Sequence, residues 1–89
     1  MRKFEFLSPA ARATLRYIKS VEVRSDDEFE VPAIVMALRK QGQPIGVTVS
    51  ALNECRTNLW LSARRQPDGP DRVALTTTAS VALALQPAE

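Results

Sequence analysis

The chain has 89 residues, 45% of them apolar and 25% charged, and a formal net charge of +2. That length allows one domain, and the apolar share excludes wholesale disorder. One cysteine, Cys55, and no histidine rule out an intramolecular disulfide and nearly exclude a zinc site.

The opening stretch MRKFEFLSPAAR holds no apolar run of signal-peptide length, and nothing later approaches the roughly 18–20 residues of a membrane span. A soluble, cytoplasmic protein is expected. Ser8-Pro9 reads as a helix start, because a serine hydroxyl accepts from a free backbone N–H and proline suits the first helical position. Ala11, Leu15 and Ile18 then recur at helical spacing, with Tyr17 and Val21 as further members and Arg12, Arg16 and Lys19 off that stripe. A first helix is predicted over 8–20, with Leu7 as a staple onto its first turn.

Residues 21–27 read as a loop, and Glu28-Phe29-Glu30-Val31 alternates as a short β-bridge would. Ser25 and Glu28 have capping-box spacing, but Pro32 would fall inside any helix begun there. Pro32 instead predicts the start of a second helix over 32–41, closed by Gly42. That helix is apolar on nearly all sides, which marks it as the most buried element.

Gln43-Pro44-Ile45-Gly46 is a turn with Ile45 as its apolar plug. Thr48 or Ser50 then caps a third helix over 48–58, with an apolar stripe through Val49, Leu52, Cys55 or Arg56, and Leu59, which leaves Ser50, Ala51, Asn53, Glu54 and Thr57 for the opposite face. Beyond it, helix can run on to Arg65, or Leu59, Leu61 and Ala63 can alternate as a strand. Val73, Leu75 and Thr77 alternate after the Pro-Asp-Gly-Pro-Asp turn, which favours a hairpin over 59–77. Trp60 is expected to pack that hairpin on the first helix. Thr78 can cap a last helix over 78–86, ahead of Pro87. Its Ala-rich composition prefers helix to the alternative, one long strand from Val73 to Leu85.

Charge is segregated along the chain. Residues 1–24 carry Arg2, Lys3, Arg12, Arg16, Lys19 and Arg24 against Glu5 and Glu22, and Asp26, Asp27, Glu28 and Glu30 form an acidic knot. Arg64, Arg65 and Arg72 sit around the hairpin with only Asp68 and Asp71 nearby. Such segregation makes one face attractive to phosphate. An enzyme is not expected. There is no histidine to act as a base, no Gly-rich phosphate loop and no activating partner for Cys55, and no metal or cofactor is implied.

The order of elements over residues 8–85 resembles a winged helix-turn-helix domain. The fold implied is α+β, a single domain 1–89 with a three-helix core, a β-hairpin wing and a C-terminal helix. Locally, GVTVSALNE (46–54) resembles the G-x-T-V-S-x-L-x-E wording of MarR-like bacterial regulators, and PDGPDRVALTTTASVALAL is similar to their wing. The helix that separates these two wordings in that family has no room here. The winged-helix resemblance implies double-stranded DNA as partner. The third helix would enter the major groove and present Thr48, Ser50, Asn53, Arg56 and Thr57. Arg64, Arg65 and Arg72 would meet phosphate or the minor groove. Glu54 would repel phosphate or accept from a cytosine amine.

A small transcriptional regulator or accessory DNA-binding factor of a bacterium, plasmid or phage is the expected function. A homodimer is expected through the first and last helices, with Leu15 and Ile18 meeting the 79–85 run. The alternative is a winged-helix protein-interaction module that takes a protein partner through the acidic loop Asp26–Glu30.

Overall fold

The computed structural model describes residues 1–24 and 26–85. Among these, the chain forms a 3-10 turn, four α-helices and one three-stranded antiparallel sheet, an α+β fold. Ser25, with its capping-box spacing to Glu28, lies outside the described residues, as do Gln86 and Pro87 at the expected end of the last helix.

Helix α1 spans Pro9–Val21. The Ser8 hydroxyl accepts from the Ala11 N–H at 3.1 Å, and proline occupies the first turn. Ala11, Leu15 and Ile18 are completely buried, and so is Thr14 between them. Thr14 is satisfied on both sides: its hydroxyl donates to the Ala10 carbonyl at 2.8 Å and accepts from the Gln43 amide at 3.1 Å. The same Gln43 nitrogen donates to the Thr48 hydroxyl at 2.9 Å, so one side chain joins α1 to the third helix.

Strand β1 is Phe29–Glu30, and it runs directly into α2, Val31–Lys40. The helix starts at Val31 rather than Pro32, because the Val31 N–H is taken by the Asp71 carbonyl at 3.0 Å. The expectation that α2 is the most buried element is overturned. It packs from one side only, through Ile34, Val35 and Leu38, and leaves Ala33 and Met36 exposed. Gly42 ends the segment with a φ of 98°, a conformation that suits glycine, and the Gln43 N–H returns to the Leu38 carbonyl.

Helix α3 spans Ile45–Thr57, and so begins three residues before the expected start at Thr48. Neither Thr48 nor Ser50 caps it. Pro44 takes the N-cap position, where no side chain bonds the free N–H groups. Ile45, expected as a buried plug, is the first helical residue and is exposed. The helix does not run on to Arg65. It stops at Leu59, which has a φ of 65°. The Leu59 N–H bonds the Arg56 carbonyl and the Trp60 N–H bonds the Cys55 carbonyl at 2.8 Å, the double closure of a Schellman motif with leucine where glycine is usual.

Reversed in this way, the chain enters β2, Leu61–Arg64, which pairs with β3, Arg72–Leu75. The sheet order is β1-β3-β2, with Leu61 opposite Leu75, Ala63 opposite Val73 and Arg64 opposite Arg72. Strand alternation puts Leu61, Val73 and Leu75 into the core and turns Ser62, Arg64 and Arg72 outward. Trp60 is buried, but its ring meets the 3-10 turn Phe4–Phe6: Phe4 lies edge-on at 5.7 Å, and the indole N–H donates to the Arg2 carbonyl at 2.7 Å.

Helix α4, Thr77–Ala84, is capped by Thr76 and not by Thr78. The Thr76 hydroxyl accepts from the Ala79 N–H and donates to the Leu59 carbonyl, so it also fastens the α3 terminus. The single-strand alternative for 73–85 is thereby excluded. Ala79 and Leu83 bury themselves in the chain's own core, and Ser80 bonds Lys19 and Glu22 at 3.0 Å each. Leu15 and Ile18 are equally committed to that core, so neither is available to the dimer seam expected of them. The exposed large apolar side chains of α4 and its end are Val81 and Leu85.

Candidate functional site

On α3 the core side consists of Thr48, Ala51, Leu52 and Cys55. This corrects the expected stripe, since Val49 is 51% exposed and Ala51 is buried. It also removes Thr48 from the candidate contacts. Thr48 is fully buried, its hydroxyl engaged with Gln43 and the Pro44 carbonyl. The helical period carries Ser50, Asn53 and Thr57 to the opposite side, and all three are exposed, as is Arg56. A guanidinium N–H of Arg56 donates to the Asn53 side-chain oxygen at 2.8 Å, which orients the two as a pair.

Glu54 is the one acid of α3, and it does not belong to this surface. Its carboxylate accepts from the Ser8 backbone N–H at 2.8 Å and from the Ser8 hydroxyl at 2.7 Å. These two bonds, the backbone one foremost, hold its pKa below the ordinary value. The carboxylate is therefore directed at the start of α1 rather than outward from the exposed side of α3, and it keeps its negative charge. Cys55, beside it, is a structural thiol. Burial, and secondarily the Glu54 carboxylate, push it up to about 12, so it stays protonated at neutral pH.

Between α3 and the hairpin lies a groove of about 330 Å³. Val49, Leu52 and Val73 are among its apolar lining residues, and Asn53, Arg56, Arg65 and the acid Asp71 are its polar ones. The three hairpin arginines divide between the two faces of the sheet. Arg65 lines the groove with α3. Arg64 and Arg72 are register partners on the outer face, together with Glu30. There Arg64 lies 3.5 Å from Glu28, and Arg72 lies 3.9 Å from Glu28 and 4.0 Å from Glu30. These loose, exposed pairs add little stability. They do place negative charge beside both arginines, while Arg65 and Arg56 make no ion pair among the described residues.

The acidic loop is also partly engaged within the chain. The Asp27 carboxylate accepts from the Val23 and Arg24 N–H groups at 2.8 and 2.9 Å, bonds that lower its pKa, with Arg24 the larger cause. Asp26 is exposed.

The structure thus brings together Asn53, Arg56 and Arg65 at the groove, leaves Ser50 and Thr57 exposed elsewhere on α3, and separates from them Thr48, Arg64 and Arg72. Sequence reading missed Val49, whose place on the open side shows only once Thr48, Ala51 and Cys55 are known to face inward. Among the described residues, no cluster of three or more metal-ligating side chains occurs, and no helix is long and apolar enough to cross a membrane. No protein-family model, curated protein or solved structure matches the chain.

Proposed function

We propose that this chain is a winged helix-turn-helix protein that binds double-stranded DNA as a cytoplasmic transcriptional regulator or accessory factor. In this reading α3 lies in the major groove and the β2–β3 hairpin is the wing. The element order and the sheet order β1-β3-β2 agree with such a domain. The observation that carries the reading is the groove edge of α3, where Asn53 and Arg56 stand beside Val49 and across from Arg65, with Asp71 as the one acid of that lining. Asn offers the bidentate match to adenine and Arg the match to guanine, and hydroxyls suit bases or phosphates. Arg65 meets the backbone.

Gel shift against random and genomic duplexes at low salt tests the proposal. Asn53→Ala and Arg56→Ala should each weaken the preferred site by about 1–3 kcal/mol, the value of a bidentate contact. Absence of binding to any duplex would remove it.

Two copies joined through the α4 surface that exposes Val81 and Leu85 would double the length of DNA read. Light scattering should then give twice the 9.8 kDa chain mass, and Val81→Asp should return the monomer.

The protein-interaction reading has one observation in its favour: Met36, Ile45 and Val47 leave apolar surface exposed on α2 and α3. Recovery of a stoichiometric protein partner, together with absent DNA binding, would select it.

A further inference from the structure

Val49 has no role in the fold that explains its identity. Half of its side chain is exposed, and a β-branched residue in a helix gives up side-chain freedom that an exposed site does not repay. It does not stand alone. Asn53 and Arg56 follow one and two turns later along the same groove wall, and Leu52 and Val73 continue its apolar lining inward. The surface is therefore a short row of an apolar group, an amide and a guanidinium, the last two already bonded at 2.8 Å.

This row has a counterpart in the chemistry of the major groove. Base edges there display hydrogen-bonding groups that amides and guanidiniums match, and a single kind of apolar group, the 5-methyl of thymine. We propose that Val49 is a specificity-determining residue that seats against a thymine 5-methyl group beside the bases read by Asn53 and Arg56. This rests on the duplex-DNA reading of the site. The placement also accounts for the exposure of Val49: a methyl-sized partner from outside covers what the chain leaves open.

Selection of bound duplexes from a random pool supplies the site, and deoxyuridine in place of thymidine then removes only the methyl group. For the wild-type protein, one thymine position should respond with about fourfold weaker binding, the value of one methyl group taken out of contact. Val49→Ser should bind both duplexes equally while its circular dichroism matches the wild type. Undiminished affinity after substitution at every selected thymine would overturn the inference and leave the DNA reading standing. Retention of the full methyl preference by Val49→Ser would overturn it in the same way. A pool from which no sequence is enriched would overturn the inference, and absence of binding to any duplex would overturn both.

Discussion

Replacing Gly46 by alanine should move stability and DNA binding in opposite directions. Gly46 is the second residue of α3, and it is exposed. Unlike Gly42, it has no positive φ, and a Cβ built on it meets nothing within 4 Å. The fold gives no reason for glycine here. Alanine narrows the unfolded ensemble without straining the native one, so Gly46→Ala should stabilise by about 0.4–1 kcal/mol. In a chain of this length, that is a rise of about 2–8 °C in Tm. The DNA-bound state differs. The first turn of α3 offers backbone N–H groups with no side-chain cap and no acid beside them, and in the proposed orientation they approach phosphate. An added methyl group would hold the phosphate away, at a loss of up to about 1.5–3 kcal/mol for a hydrogen bond to a charged group. Thermal denaturation and gel shift on the same preparation read both effects. Unchanged DNA affinity in a stabilised variant would refute this approach of the helix terminus to the backbone, and a lowered Tm would refute the open surroundings of Gly46.

Three further outcomes are expected. Arg65→Ala should lower the salt dependence of binding by a slope of about 0.9, one phosphate contact, whereas Arg64→Ala with Arg72→Ala should leave it nearly unchanged. Leu59→Gly should raise stability in denaturant titration by about 1 kcal/mol, since a left-handed leucine is relieved while the greater freedom of unfolded glycine offsets part of the gain. Glu54 has a lowered folded pKa, so its contribution is complete above the ordinary glutamate value of about 4.3 and is lost as the pH falls through the lowered one. Acid titration of Glu54→Gln should lack that component, and an identical acid limb in both proteins would show that the Ser8 bonds are not made.

What was legible in the sequence was what is decided locally. Ser8 and Pro9 set the start of α1 within one turn, Gly42 ends α2 through its own backbone, and alternation around the Pro-Gly tip marks the hairpin. The start of α3 was not legible, because no capping side chain announces it and Thr48 imitates one. Its core side was hidden for a related reason: Thr, Ala and Cys face inward while Val49, a stronger apolar signal, faces out. Glu54 finds its partner 46 residues away, a distance over which sequence spacing carries no information. The opposite facing of Arg64 and Arg65 follows from strand alternation alone, but the reach of Glu28 across to Arg64 depends on how the sheet is assembled.

The Gln43 amide imposes a direction on its neighbours. Its nitrogen donates to both Thr14 and Thr48, so each hydroxyl must send its own proton onward, to the Ala10 and Pro44 carbonyls. The relay runs one way, outward from a single nitrogen. A carboxylate at position 43 has the same shape but no proton to give, so both threonines would have to turn round and abandon their carbonyls. The polarity of one group in the preceding loop thus helps to hold α3 in its rotation, together with the buried Ala51, Leu52 and Cys55 and the Glu54–Ser8 bonds. A helix that rolls by a fraction of a turn aims different side chains at whatever it meets, so Gln43, whose side-chain bonds go to two buried threonines, shares in setting where the exposed ones point.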